Sequence, residues 1–303
     1  MSASPEEEGG ETGYDYGAEA DGAGSDELIR QSLREYLVGE LGWDEEDFED
    51  RLAIELDRRI PKGLFDRLET ESDWKLEGRR LLDVGAGQGA AVHEALLRGA
   101  DAWGIEPSTG FGRVARARLR DAGFSPRRIV RSAGERLPFP AESFDHVVSL
   151  QVLEHVEDPG RVIKEIGRVL KPGASCWIAC ENYLAFREQH YRVAWLPLLP
   201  KWIGSVYLRA RGRNPEFLRR HVRYITYPGF RAFVNATELH DVIRERTLAK
   251  TQEPTEIQRP WLRQVTELLR AMRLPVRPLA RAFLSVRDLF GVGIRAELRK
   301  ARS

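Results

Sequence analysis

The sequence is poor in cysteine, with two in 303 residues, Cys176 and Cys180. Two cysteines exclude a disulfide-stabilised scaffold and a four-cysteine zinc site. Long apolar runs are also missing, because the longest, residues 193 to 200, is too short to span a bilayer. The first residues are acidic and have no apolar core, so we expect no secretory signal. These absences make a cytoplasmic globular protein the default expectation.

Basic residues are absent from the first 28 positions, which hold nine acidic residues together with many Gly, Ser and Ala. Such a composition cannot bury enough apolar surface to offset the entropy of ordering, and it predicts a disordered acidic tail over residues 1–25. The charge is also uneven further along the chain. Residues 181–303 carry 24 basic and 11 acidic residues, whereas the first 180 carry 23 and 36. The two halves therefore suit different partners.

Apolar periodicity divides the rest of the chain. Helical spacing over residues 26–75 predicts a helical preface, with Asp26 as a helix N-cap and a second helix over 45–57. Five apolar stretches then alternate with helical ones, and we predict strands at 80–84, 102–106, 128–131, 144–150 and 175–180. Alternating strands and helices predict βαβ units, and hence an α/β fold with a doubly wound parallel sheet.

The end of the chain returns to strand periodicity. Ile294, Ala296 and Leu298 alternate with charged residues over 293–300, which predicts a half-exposed strand at the sheet edge. The predicted division is therefore a tail (1–25), a preface (26–75), a core (76–180), a helical basic insertion (181–290) and a final strand with the C-terminus (291–303).

A glycine-rich loop follows the first predicted strand, with the sequence Asp-Val-Gly-Ala-Gly-Gln-Gly over residues 83–89. Gly85 permits a tight strand-to-helix turn, and Gly87 lets a ligand approach the backbone closely. Glu106 ends the second predicted strand, where a carboxylate can accept both ribose hydroxyls of an adenosine. Ala90 also completes a G-x-G-x-x-A pattern, so the loop alone leaves nicotinamide dinucleotides and S-adenosylmethionine open.

Five motifs in order separate these two cofactors. They are residues 81–89 (LLDVGAGQG), 134–140 (GERLPFP), 143–145 (SFD), 153–156 (LEHV) and 170–173 (LKPG). In this order the sequence resembles the class I S-adenosylmethionine-dependent methyltransferases, in the type 11 group that includes ubiquinone and menaquinone biosynthesis enzymes. The resemblance covers about residues 76–180, and it implies a Rossmann-like fold with S-adenosylmethionine as cofactor. A dehydrogenase has no reason to carry the last four motifs.

The resemblance also implies a cofactor site. Its residues are Asp83, Gly85, Ala86, Gly87, Gly89, Glu106, Pro107, Ala133, Gly134, Glu135 and Gln151. Glu106 would hold the ribose, residues 133–135 would lie beside the adenine, and Gln151 would lie under the methionine part. Many relatives carry Asp where this chain has Ala133, so either Glu135 or the backbone would bind the adenine amino group.

Two histidines are candidate bases for methylation of a hydroxyl group. His155 follows the fourth predicted strand and His190 the fifth, so both belong to the edge where an acceptor would enter. Structural roles for either histidine, in capping a loop or packing against Trp195, stay open. Some ubiquinone-type relatives bind a divalent metal with an E-x-x-E-H motif, but here Gln151 takes its first position. Because only Glu154 and His155 remain, we expect no metal.

The basic insertion is rich in aromatic residues over 191–207, and amphipathic stretches at 261–273 and 279–290 carry flanking arginines. These stretches either cover the acceptor pocket or form a lid that also lies on an anionic membrane, and we favour a lid with peripheral membrane contact. A nucleic acid partner is disfavoured, because the sequence contains no known RNA- or DNA-binding module and its first 180 residues are acidic. The oligomeric state stays open.

The methyl acceptor is not determined by these motifs. The segment after Glu188 and residues 212–215 resemble an extension of bacterial methyltransferases associated with surface polysaccharides, which favours a sugar hydroxyl on a glycan or glycolipid. A small molecule, another lipid-linked acceptor, a quinone or a phenolic natural product remain open. A catalytically inactive partner subunit that keeps the fold is the alternative to an enzyme.

Overall fold

The computed structural model describes residues 24–243 and 288–302. The predicted acidic tail therefore lies outside the described residues, except for its last two. There the boundary differs from the prediction, because Ser25 is buried and begins a helix, and its N–H donates to Asp121 at 2.7 Å. The N-cap of that helix is Gly24, and Asp26 lies in its first turn.

The described helices and strands follow the predicted alternation closely. The α-helices are α1 (Ser25–Arg34), α2 (Glu45–Leu56), α3 (Arg59–Glu71), α4 (Ala90–Leu97), α5 (Thr109–Asp121), α6 (Pro159–Val169), α7 (Lys201–Ala210), α8 (Glu216–His221) and α9 (Tyr227–Asn235). The strands are β1 (Arg80–Val84), β2 (Asp101–Ile105), β3 (Ile129–Val130), β4 (Phe144–Leu150), β5 (Leu170–Glu181), β6 (Arg187–Glu188), β7 (Val193–Ala194), β8 (Leu239–Asp241) and β9 (Gly293–Lys300). A π-helical segment (Glu35–Glu40) extends α1, and a 3₁₀ turn (Pro126–Arg128) precedes β3.

Seven of these strands form one sheet in the order β3-β2-β1-β4-β5-β9-β8. The first five are parallel, which confirms the predicted α/β doubly wound fold. The prediction that β9 lies at the sheet edge is wrong. β9 runs antiparallel between β5 and the short β8, with Leu298 opposite Cys176 on one side and Asp241 on the other.

Side chains of the inner strands alternate between two hydrophobic cores. Leu81 and Trp177 belong to the core under α3, α4 and α5, while their neighbours Leu82 and Ile178 belong to the core under α6 and α9. Successive strand residues point to opposite faces, so both faces of these strands must be apolar when helices cover them.

A third core joins two regions that the sequence placed apart. Phe48 and Leu52 of the preface pack in one cluster with Tyr191, Trp195 and Phe217 of the basic insertion. The division of the chain stays a prediction, but these two regions share one core. The amphipathic stretches predicted over 261–290 fall outside the described residues, apart from 288–290. None of the helices in the described part has the length and apolarity to cross a bilayer.

Candidate active site

The glycine-rich loop connects β1 to α4, and its backbone requires glycine. Gly85 has a φ of 78°, and a Cβ at this position would lie 2.4 Å from Cγ2 of Val152 in the loop after β4. Gly87 has a φ of 52°, and a Cβ there would meet no protein atom within 4 Å. The loop is therefore pressed against the end of β4 at Gly85 and faces open space at Gly87, as a close-lying cofactor requires.

Glu106 holds this loop against the end of β2. Its buried carboxylate accepts hydrogen bonds from the N–H groups of Gly87 at 2.8 Å and Ser108 at 2.9 Å. Burial raises the pKa of Glu106, and burial together with the Glu106 charge raises the pKa of Asp83 to about 7. Each carboxylate oxygen has a second lone pair, so Glu106 can also accept the ribose hydroxyls expected there. The loop residue Ala86 is buried and donates its N–H to Ile105 at 2.8 Å.

The residues predicted beside the adenine lie at the same edge of the sheet. A Cβ on Gly134 would be 3.3 Å from Val84 at the end of β1, so this loop lies against the cofactor loop's strand. The Glu135 carboxylate accepts the backbone N–H groups of Glu157 at 3.0 Å and Asp158 at 3.4 Å, which fixes the chain before α6. Ala133 is exposed, and Pro107 accepts a hydrogen bond from Arg131. Their contacts with adenine stay predictions.

A cavity of about 470 Å³ opens at the carboxyl ends of β4 and β5. It is lined by Ile60, Gly63, Leu64, Arg67, Leu150, Gln151, Trp177, Ala179, Cys180, Glu181, Gln189, Val292, Gly293, Ile294 and Arg295. Gln151 is the predicted cofactor residue among them, held at a φ of 57° with its N–H donating to Ala179. The guanidinium of Arg67 lies 4.7 Å from the ring centroid of Trp177. The cavity thus combines an apolar wall with the guanidinium groups of Arg67 and Arg295.

The two candidate bases lie side by side, behind this cavity. Nε2 of His155 and Nε2 of His190 are 3.4 Å apart. Nδ1 of His155 donates to the carbonyl of His221 at 2.7 Å, and Nδ1 of His190 donates to Glu188 at 2.9 Å. Glu181 adds a second carboxylate 3.3 Å from Nδ1 of His190. The fold therefore brings His155 and His190 together with the carboxylates of Glu188 and Glu181 in one network of polar contacts.

The two histidines of this network differ in pKa, and therefore in protonation state at neutral pH. Burial lowers the pKa of His155 to about 3, which keeps the ring neutral. Burial also acts to lower the pKa of His190, but the charges of Glu181 and Glu188 outweigh it and raise that pKa to about 10. Burial raises the pKa of Glu181 to about 8, against the opposing effect of His190. At neutral pH His190 therefore carries its proton already.

Glu181 is one of the cavity residues that the sequence analysis missed, together with Arg67 and Arg295. It ends β5 and lines the cavity, whereas His155 and His190 do not belong to the lining. The available signal was the same one that identified Glu106, a carboxylate at the carboxyl end of a buried parallel strand.

Among residues 24–243 and 288–302, two groups of side chains are close enough to hold a cation. The ligand atoms of Glu154, His155 and His190 lie within 4.8 Å of one another, and so do those of Glu181, Glu188 and His190. The sequence counted Glu154 and His155 alone, because His190 comes from beyond β5. The absence of a metal stays a prediction.

Comparison with known proteins is consistent with this geometry. Residues 82–178 match the family described as "Methyltransferase domain". The ubiquinone biosynthesis O-methyltransferase of Hahella chejuensis is 38% identical over 107 residues, which cover 35% of this chain and 45% of that protein. The same-named protein of Paracidovorax citrulli is 36% identical over 107 residues, or 34% of this chain and 43% of that one. The chain thus spans about half the length of the curated relatives it matches.

A solved structure supports the fold. The structure titled as a putative sarcosine dimethylglycine methyltransferase from Galdieria sulphuraria has a TM-score of 0.50 and 15% identity, and it covers 91% of this chain and 98% of that one. The resemblance found in the sequence and its cofactor, S-adenosylmethionine, are confirmed. A nicotinamide cofactor is set aside. The predicted likeness of the extension to polysaccharide-associated methyltransferases stays a prediction.

Proposed function

We propose, from the premise that residues 82–178 are a methyltransferase domain that uses S-adenosylmethionine, that the whole chain methylates a hydroxyl group on an amphipathic acceptor. The observation that carries the proposal is the cavity at the ends of β4 and β5. Its wall includes Gln151, expected under the methionine part of the cofactor, and the carboxylate of Glu181. A hydroxyl in this cavity would lie between the cofactor side and a proton acceptor.

The chemistry of the cofactor leaves the protein two tasks. When bound, S-adenosylmethionine supplies an activated methyl group on a cationic sulfur, so the protein orients the acceptor and removes a proton. Gly87 and Glu106 would hold the cofactor at the end of β1 and β2, which are paired in parallel next to β4. Because the carboxyl ends of parallel strands share one sheet edge, cofactor and acceptor would meet there.

Glu181 is the proposed proton acceptor in this site. It lines the cavity, and the protonated His190 behind it stabilises its ionised form. In this proposal Glu181 replaces His190 as the base, because His190 already holds its proton at neutral pH and does not line the cavity. The neutral His155 faces His190 rather than the cavity, so we assign it to orienting the His190 ring.

The cavity also suggests a class of acceptor. Arg67 and Arg295 are both in the lining, and neither has an ion pair among the described residues. Ile60, Leu64 and Val292 supply apolar wall. An acceptor with an anionic group and an apolar part would match both features. A sugar- or lipid-linked phosphate has this chemistry, and so does a phenolic carboxylate.

Calorimetry with S-adenosylhomocysteine, the demethylated product, tests the cofactor part. Glu106→Gln should weaken binding roughly 10- to 100-fold, because it removes charge-assisted hydrogen bonds to the ribose. The exposed Glu77→Gln is the matched control and should bind as the wild type does. Tight binding of NADH with no binding of S-adenosylhomocysteine would overturn the assignment.

Incubation with methyl-labelled S-adenosylmethionine and fractionated cell extracts tests the transfer. Label should appear in an anionic, amphipathic fraction, and at limiting cofactor it should be much weaker with Glu106→Gln. A protein that binds the cofactor but labels no fraction would support the alternative, an inactive partner subunit.

A further inference from the structure

Helix α7 has apolar side chains on both of its faces. On the inner face, Gly204 allows close packing, since a Cβ there would lie 2.5 Å from the ring of Trp195, and Leu208 is buried. On the outer face, Trp202 is 72% exposed and Val206 is 60% exposed. A surface helix normally directs one apolar stripe to the core and a polar face to water. The outer face of α7 departs from this pattern.

The exposed face of α7 belongs to a larger apolar surface. Among the described residues, ten large apolar side chains are more than about a third exposed, and eight lie in two short segments. We call these eight residues the α7 surface: Phe186, Leu196, Leu198, Trp202, Ile203, Val206, Phe290 and Val292. Phe186 and Phe290 stack with their ring centroids 6.0 Å apart, which joins the two segments. Val292 also lines the cavity, so the surface reaches the cavity wall.

Five of these eight residues, from Leu196 to Val206, lie in a strongly basic segment of the chain. Residues 189–237 contain nine arginines and lysines and one acidic residue, Glu216. Arg209 lies on the same helical face as Trp202 and Val206, at spacings of seven and three residues. Arg209 and its neighbour Arg211 are exposed and have no ion pair within residues 24–243 and 288–302.

We infer that the α7 surface docks on an anionic phospholipid bilayer. Tryptophan favours the boundary between head groups and acyl chains, and aliphatic side chains gain by entering the acyl region. Each arginine close to an anionic leaflet adds attraction, and the single carboxylate of residues 189–237 adds little repulsion. Nucleic acid would satisfy the arginines but would leave Leu196, Leu198 and Val206 without a favourable partner. The inference is independent of the proposed methyl transfer.

Sedimentation with vesicles tests the inference. The full chain should bind vesicles of phosphatidylglycerol and phosphatidylcholine in equal parts, and it should bind phosphatidylcholine alone at least about tenfold more weakly. The paired substitution Trp202→Ser with Val206→Ser should lower binding to the mixed vesicles about tenfold. Leu97→Ser removes an exposed leucine of α4 that lies outside the α7 surface, and it should leave vesicle binding unchanged.

The arginines provide a second arm. Arg209→Gln with Arg211→Gln should also lower binding about tenfold and should remove most of its dependence on salt. This double variant leaves the apolar residues in place, so it keeps the test valid if the serine pair lowers the melting temperature.

Two results would overturn the inference. One is that the wild type does not bind the mixed vesicles, or that the serine pair and the arginine pair bind them as tightly as the wild type does. The other is a mass in light scattering that doubles with concentration, together with no vesicle binding, which would assign the surface to a second copy of the chain. Calorimetry with S-adenosylhomocysteine reports on the proposed function separately and should be unchanged in all these variants.

Discussion

At the scale of single residues, Glu181 and His190 show how neighbours reassign a role. A histidine is the usual base near neutral pH, but a histidine between two carboxylates holds its proton. The carboxylate beside it, raised in pKa by burial, becomes the group that can accept one. The charges facing Glu181 within the network are Glu154, Glu188 and His190, and Arg295 lines the same cavity.

The pH dependence of turnover follows from this arrangement. The base must be ionised to act, so the rate should rise with pH as Glu181 loses its proton, with a midpoint near its pKa of about 8. Glu181→Gln should remove this dependence and lower kcat roughly 10²- to 10⁴-fold, with affinity for S-adenosylhomocysteine nearly unchanged. The exposed Glu77→Gln is the control and should keep the full profile. An unaltered profile in Glu181→Gln would show that another group takes the proton.

At the scale of elements, β9 is the strand whose position matters most. It pairs with β5 over seven residue pairs, from Gly293 opposite Glu181 to Arg299 opposite Ser175. Its buried Glu297 accepts hydrogen bonds from Ser72 at 2.7 Å and Trp74 at 3.3 Å, which ties the last strand to the segment before β1. An inner strand with such ties supports the sheet far more than an edge strand does.

Truncation measures this contribution. A chain that ends at Gly291 should lose its cooperative thermal transition in circular dichroism, because β5 and β8 would both lose their partner. A chain that ends at Ala301 keeps β9 and should melt like the full chain. Cooperative melting of the shorter chain at an unchanged temperature would refute the structural role given to β9.

At the scale of the whole molecule, the preface is bound to both the insertion and the cofactor loop. Phe48 and Leu52 pack with Tyr191 and Trp195, and the Gln88 side chain donates to Ser32 at 3.2 Å. The preface thus contacts both the insertion and the glycine-rich loop, and it supports the position of each.

Two shortened chains test this dependence. A chain that begins at Gly24 retains α1 and should fold and bind S-adenosylhomocysteine normally. A chain that begins at Ser72 loses the preface half of the third core, and it should melt at a much lower temperature or not cooperatively. If calorimetry and circular dichroism find the two chains equal, the preface is dispensable.

The sequence by itself determined the parts of this protein that depend on neighbouring residues. The strand periods, the positive φ angles required at Gly85 and Gly87, and the carboxylate of Glu106 at a strand end follow from local geometry. For this reason the sheet and most of the strand limits were predictable. The choice of S-adenosylmethionine over a dinucleotide came instead from the family resemblance carried by five motifs. Local periodicity was also enough to predict that residues 293–300 form a strand. It did not predict that this strand, β9, lies between β5 and β8.

Only the tertiary structure decided what distant segments do together. His155 and His190 are 35 residues apart in the chain, and no periodicity indicates that they meet or that Glu181 and Glu188 surround one of them. The inner position of β9 depends on its pairing with β8, and the exposure of Trp202 depends on which face of α7 packs on Trp195. Burial and charge pairing are properties of contacts between segments, so the proposed proton acceptor and the proposed docking surface depend on those contacts and not on local sequence.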